Sequence, residues 1–331
     1  MAGACPPSLS IAVANAGGMG ACGALLLSSE EILDWAKQFR AVSDGSFQIN
    51  LWIPGPAPIR DAAKEEAVRT FLSKWGPEIP PNAGDTKTPN FAKQCDALLE
   101  ANPDAISSIM GVYPPEFVRK MKDKGIKWFA NATTVREARI AESAGADVIV
   151  AQGMEAGGHR GSFDAAYAET QMVGLFSLLP AIVDSVSIPV VATGGIADAR
   201  GIAAALALGA SAVQIGTGFL RCPEARISQA WVDALGCCLP EDTLVTRAFS
   251  GRPGRVIATV YVKAAASGEA PDPAPYPVQR GLTKAMRELG VKANDIDRIQ
   301  AWAGQSSALA RTESAQELAR MLWNEAQMLL S

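Results

Sequence analysis

The stretch Ala144-Gly145-Ala146-Asp147-Val148-Ile149-Val150-Ala151-Gln152-Gly153 decides the fold class. It reads as a glycine stop after a helix, then a buried strand, then a glycine at the strand's C-terminal end. Leu208-Gly209-Ala210, followed by Val213 and Gly216, repeats the pattern. Outward from these two units, apolar runs alternate with helical patterns, as in βαβ units around a parallel sheet. Strands are expected at Met19–Leu25, Phe47–Ile53, Ala105–Ile109, Ile126–Ala130, Asp147–Ala151, Ile188–Ala192 and Ala212–Ile215. Between them, helices are expected at Ser29–Arg40, Pro115–Lys124, Val135–Ala144, Thr170–Asp184 and Asp198–Leu208. The class is α/β, and the repeat points to a (β/α)8 barrel.

These strands are one short of a closed barrel. A helix at about Ser8–Ala16 precedes the first of them, so barrel geometry asks for another strand ending near Met1. The expectation is a barrel lacking or truncated at strand one, with the true start upstream, because an open sheet leaves backbone groups unpaired. An in-frame apolar strand in the upstream coding sequence would support this, and an immediate stop codon would defeat it. Two regions depart from the repeat. Pro54–Lys93 is rich in proline and charge, carries a helix at Asp61–Lys74, and reads as an insertion after an early strand. From Pro223 the pattern is helical, with a proline-rich break at Ala270–Pro277 and a last helix near Thr312–Leu330. The expected organisation is a barrel over 1–222 with its insertion at 54–93, then a mainly helical cap over 223–331. The cap is expected to cover the C-terminal mouth, its last helix packing back on the barrel.

With 331 residues the chain can bury a large core. Its 48% hydrophobic and 19% charged residues suit a globular enzyme and argue against disorder. A net charge of -4 leaves no basic footprint for nucleic acid. No apolar run is long enough to span a membrane, and the N-terminal stretch lacks the basic segment of a signal peptide. The six cysteines, Cys5, Cys22, Cys95, Cys222, Cys237 and Cys238, show neither zinc spacing nor CxxC. They read as reduced thiols of a cytoplasmic protein, with no metal site.

The chain holds one histidine, His159, inside Gln152-Gly153-Met154-Glu155-Ala156-Gly157-Gly158-His159-Arg160-Gly161. Proton chemistry near neutral pH would fall to this imidazole; the alternative is an ordinary surface histidine. Gly157 and Gly158 would let backbone approach a planar ligand. Thr193-Gly194-Gly195-Ile196-Ala197-Asp198 follows one strand and opens a helix, and Gln214-Ile215-Gly216-Thr217-Gly218 follows the next. Free N–H donors at such ends suit phosphate, and barrels often bind phosphate after their last two strands. Plain turn chemistry is the competing reading. Asn50 and Gln152, on or ending strands, could meet a ligand's polar edge or be satisfied by backbone. Asn131 and Thr133 could face the mouth, but the favoured reading is a cap on the next helix. Glu155 and Arg160 could orient the histidine or attract an anion, though an exposed ion pair is commoner. Gln305-Ser306-Ser307 could reach the mouth from the tail.

Together these segments, with Ala14-Asn15-Ala16-Gly17-Gly18, Asn50-Leu51 and Ala303-Gly304-Gln305, resemble the nitronate monooxygenase (2-nitropropane dioxygenase-like) family of FMN-dependent TIM barrels. The resemblance covers essentially the whole chain. It implies FMN across the strand ends, with phosphate at Gly194, Gly195, Gly216 and Thr217. Asn50, Gln152, Gly157, Gly158 and Gln214 would complete the cofactor site, and His159 matches the family's catalytic histidine. An Ala-Pro-Met-type segment ending strand one serves family members, and Met1-Ala2-Gly3 stands at that place. The implied reaction is oxidative denitrification of alkyl nitronates, and of nitroalkanes, with O₂, to carbonyl compounds and nitrite or nitrate. The implied partners are thus the small-molecule nitronate and O₂, with no nucleic acid or membrane and a monomeric or homodimeric state. Related flavin-dependent enoyl-acyl-carrier-protein reductases carry a similar Glu-x-Gly-Gly-His loop. That leaves an alternative, NAD(P)H-dependent reduction of an enoyl thioester or a quinone.

Overall fold

The computed structural model describes residues 3–331. The expected strand one, ending near Met1, lies outside the described residues. The chain runs α1 (Pro7–Asn15), β1 (Gly20–Gly23), α2 (Ser29–Arg40), β2 (Phe47–Trp52), α3 (Ala62–Leu72), α4 (Phe91–Ala101) and β3 (Ala105–Ile109). It continues through α5 (Pro115–Asp123), β4 (Lys127–Ala132), α6 (Val135–Ser143), β5 (Val148–Gln152), β6 (Gly158–His159) and α7 (Leu175–Val183). Then come β7 (Val190–Thr193), α8 (Ala199–Ala207), β8 (Ala212–Gln214), α9 (Gln229–Cys237), β9 (Thr243–Thr246) and β10 (Gly254–Ile257). The chain closes with α10 (Val260–Ala265), α11 (Val278–Leu282), α12 (Lys284–Ala293) and α13 (Ala315–Leu330).

All the expected strands are present, and they form one seven-stranded parallel sheet in the order β1-β2-β3-β4-β5-β7-β8. The sheet curls as a TIM-barrel-like half-barrel. Gln48 on β2 reaches across the hollow to Gln214 on β8, Nε2 to Oε1 at 3.3 Å. Among the described residues β1 and β8 do not pair with each other. The outer faces of the strands bury Phe47, Ile49, Leu51, Ile106, Trp128 and Ile149 against Phe39, Leu98, Leu179 and Ile202 of the surrounding helices. Burial of such side chains contributes about 1.5–3 kcal/mol each.

Local chemistry sets the helix ends. Ser28 and Glu31 form a capping box at the start of α2, where Glu30 and Glu31 also favour the dipole, and Lys37 and Arg40 occupy the last turn. Helix α7 begins at Leu175, five residues later than the pattern suggested. The loop before it is tied to the site, and the Glu155 carboxylate caps the helix by accepting the Leu175 N–H at 2.9 Å.

Two features of the non-repeating regions were not visible in the pattern. Helix α4 starts within the stretch read as insertion and packs on α2 and α5 as an ordinary barrel helix, capped by Asn90. Val68 and Leu72 of α3 instead share a second apolar core with Phe249, Tyr261, Val278, Leu282 and Met286, joining the insertion to the tail. The tail, expected to be mainly helical, also contains strands. β9 and β10 form an antiparallel hairpin, and β10 pairs with β6, placing Gly254 opposite His159. Each hairpin strand has four residues, too few for alternation to stand out. Helix α13 lies against α1 and α8, with Leu318, Leu322 and Ala326 buried.

Candidate active site

A cavity of about 500 Å³ opens at the C-terminal ends of the parallel strands, within the size range of small-molecule sites. His159, Asn50, Gln152, Gly157, Gly158, Gly194, Gly195, Gln214, Gly216 and Thr217 all line it. Strand periodicity explains part of this. Gln48, Asn50 and Trp52 face the cavity, while Phe47, Ile49 and Leu51 point outward into the core. Asn50 sits opposite Ser107 in the ladder and donates from Nδ2 to its Oγ at 3.0 Å. A shallower depression at the other end, bounded by Arg40, Asp104 and Lys124, lies at the starts of the strands. In this architecture that face serves stability.

His159 is held from several directions. Its backbone pairs with β10, and its ring stands edge-on to Trp52 at 4.7 Å and 4.6 Å from Trp302. Its Nε2 lies 2.7 Å from Ser250 Oγ. The Gln152 side chain clamps the loop on both sides, donating to His159 O at 3.2 Å and accepting from Gly161 N at 2.8 Å. Burial, followed by the positive field of Arg252 and Arg280, pushes the His159 imidazole down to about 3. It is therefore neutral at physiological pH.

Gly194 and Gly195 both take positive φ, +112° and +69°, which favours glycine. The backbone N–H groups of Gly194, Gly195 and Gly216 donate to no protein acceptor among the described residues. Three donors at one end of a cavity form a ready anion cradle. The tail completes this end. Gly304 N donates to Thr217 Oγ1 at 3.0 Å, and Ser306 Oγ donates to Gly195 O at 2.6 Å. The approach is so close that a Cβ on Gly157 would stand 2.5 Å from Gly304 N.

The family model for nitronate monooxygenases matches residues 1–325 of the chain. The chain belongs to that family. It is 37% identical over 331 residues to a nitronate monooxygenase from Paraburkholderia phytofirmans, covering 98% of this chain and 90% of that one. The solved structure of a nitroalkane oxidase from Streptomyces ansochromogenes superposes with a TM-score of 0.89 at 33% identity, covering 100% of this chain and 96% of that one. FabK from Thermotoga maritima superposes with a TM-score of 0.76 at 27% identity, covering 100% and 91%. The nitronate monooxygenase family membership makes this protein an oxidoreductase of the flavoenzyme kind.

Some sequence expectations are corrected in this family member. Glu155 and Arg160 form no exposed ion pair. Glu155 caps α7, and Arg160, 2% exposed, donates from Nη1 to Gly153 O at 2.7 Å. Helix α6 is capped by Thr134; Thr133 instead donates to Glu137 from its N–H and hydroxyl. Asn131 faces the cavity, its Oδ1 without a partner among the described residues. Ser306 does reach the mouth.

Sequence reasoning passed over Trp52, Ser250, Arg280, Arg287 and Trp302. Only Trp52 left a signal, being two residues beyond Asn50 on one strand face. Arg252, Arg280 and Arg287 stand near or in the cavity wall without a carboxylate partner among the described residues. A neutral imidazole in such a positive field suits an anion or a reaction that generates one.

Proposed function

We propose that this protein oxidises alkyl nitronates, and the parent nitroalkanes, with FMN and O₂, giving carbonyl compounds and nitrite or nitrate. The observation that carries the reading is the placement of a lone neutral imidazole and a three-donor anion cradle in one positively charged cavity. The chemistry of the donors fits FMN. Backbone N–H groups of Gly194, Gly195 and Gly216 would take the phosphate, and Asn50, Gln152, Gly157, Gly158, Gln214 and Thr217 would border the rest. FMN held there would supply the electron transfer from nitronate to O₂. The protein's own part is position and charge. Arg280 and Arg287 draw the anion in, Trp52 and Trp302 restrict water around His159, and the imidazole takes the α-proton of a neutral nitroalkane. The negative charge arising on the nitro group favours the protonated imidazole beside it, offsetting the burial that depresses it.

The free cysteines, Cys5, Cys22, Cys95, Cys222, Cys237 and Cys238, support a cytoplasmic location, and among the described residues no helix is long and apolar enough to cross a membrane. Oxygen uptake by the purified, flavin-loaded protein tests the reading. Nitronate should drive it without NAD(P)H, and a protein that consumes no oxygen with any alkyl nitronate would overturn it. The second reading, NAD(P)H-dependent reduction of an enoyl thioester or quinone, draws on the likeness to FabK. Rapid bleaching of the flavin by NADH under anaerobic conditions would favour it.

A further inference from the structure

We propose that Ser250 is a positioning residue that keeps the His159 proton on Nε2 and leaves Nδ1 as the basic nitrogen open to the cavity. The inference deepens the proton-abstraction role just assigned to His159 and rests on it for its catalytic meaning.

Hydrogen-bond satisfaction around the Ser250 hydroxyl selects the tautomer. A serine hydroxyl has one proton and two lone pairs. Ser250 Oγ has three neighbours: His159 Nε2 at 2.7 Å, Arg252 N at 3.3 Å and Arg252 O at 3.2 Å. The Arg252 N–H can only donate, so it takes one lone pair. The Arg252 carbonyl can only accept, and no other donor reaches it among the described residues, so it takes the hydroxyl proton. What remains for Nε2 is the second lone pair, which requires Nε2 to carry a hydrogen. The opposite assignment strands the Arg252 carbonyl and leaves a hydroxyl lone pair unused.

The turn that presents Ser250 has little freedom. Ser250 is 1% exposed. Gly251 holds a φ of +86°, and a Cβ there would lie 2.5 Å from both Ala274 O and Tyr276 N. The ring cannot readily rotate away, because Trp52 and Trp302 flank it and β6 is paired with β10. Nδ1 makes no hydrogen bond to protein among the described residues, and the ring lines the cavity. In the step proposed, the α-carbon of the nitroalkane loses its proton to Nδ1. The C–H electron pair becomes the C=N bond of the nitronate, the negative charge moves to the nitro oxygens, and the imidazole becomes imidazolium.

The single histidine makes the tautomer directly readable. Labelling with ¹⁵N-histidine gives the spectrum of His159 alone, and couplings to the ring protons separate its two nitrogens. The wild-type protein at neutral pH should show a protonated Nε2 and an unprotonated Nδ1. S250A should move both resonances towards the average of two tautomers, while S250T, which keeps the hydroxyl, restores the wild-type pattern. S250A should also lower kcat/KM for a nitroalkane by roughly 10- to 100-fold, on the scale of a misplaced reacting group. The loss should lie in kcat, with nitronate turnover retained because that substrate has already lost its proton. A wild-type proton on Nδ1, or an S250A spectrum identical to wild type, would overturn the proposal. Should the wild-type protein leave nitroalkanes untouched, proton abstraction fails as its function, and the spectrum still decides the role of Ser250.

Discussion

The strand ends of the barrel and the tail that covers them contribute differently to the same cavity. The barrel supplies the glycine cradle at Gly194, Gly195 and Gly216 and the inward amides of Asn50 and Gln152, repeating one strand-to-loop pattern. The tail supplies orientation: Ser250 on the imidazole, Trp302 against its face, Gly304 and Ser306 on the cradle. Arg255 of β10 reinforces this, donating to Met154 O at 3.0 Å within the histidine loop. The difference teaches that a repeat can build a place for a cofactor, whereas directing a single imidazole takes contacts from a distant segment.

The largest effect should separate the barrel's role from the proton's. H159N should reduce nitroalkane turnover by about 10²–10⁴, the usual contribution of a general base, and nitronate turnover far less. Equal losses on both substrates would remove proton abstraction from the account. Next, Gly157→Ala tests the seam between barrel and tail. The new Cβ meets backbone at 2.5 Å, so denaturant unfolding should show a loss of about 1–3 kcal/mol. Gly55→Ala, with nothing within 4 Å, should stay within about 0.5 kcal/mol of wild type. Similar values for the two would mean that the seam is not close-packed.

A smaller change is expected from Glu155→Ala, which removes the cap on α7. Its cost should be about 1 kcal/mol in the same unfolding measurement, and no cost would show that the cap is dispensable. The smallest effect concerns acid. His159 sits near 3 when folded against an ordinary 6.5, so nitroalkane kcat/KM should show no histidine limb between about pH 5 and 8. The sign for stability follows from the same depression. The unfolded chain takes the proton first, so this group's contribution is intact above about 6.5 and declines as pH falls towards 3. A limb near 6.5 would show that Trp52 and Trp302 leave the ring well hydrated.

The barrel strands were legible because each is an apolar run bounded by glycine, as in Asp147–Ala151, and because the pattern recurs. Gln152 and the Gly194–Gly195 pair were legible for the same reason, since strand ends in a parallel barrel share one face. Thr134 was overlooked as the cap of α6 because its neighbour Thr133 is an equally suitable residue, and only the position of Glu137 separates them. Arg160 was misread because its burial depends on Gln152 and Gly153 folding back over it. The β9–β10 hairpin escaped notice because its strands are short and its partner is two residues of a glycine-rich loop.

By itself, the order of residues determined a parallel α/β scaffold, the glycine loops at its strand ends and the one imidazole available for proton chemistry. Those properties depend on periodicity and backbone permissiveness, which act over a few neighbouring residues. Tertiary structure alone decided which nitrogen of that imidazole meets a hydroxyl, which arginines stand near it and which tryptophans enclose it. Ser250 and Trp302 lie 91 and 143 positions from His159 in the chain, and only folding brings such distant side chains within hydrogen-bonding and van der Waals range.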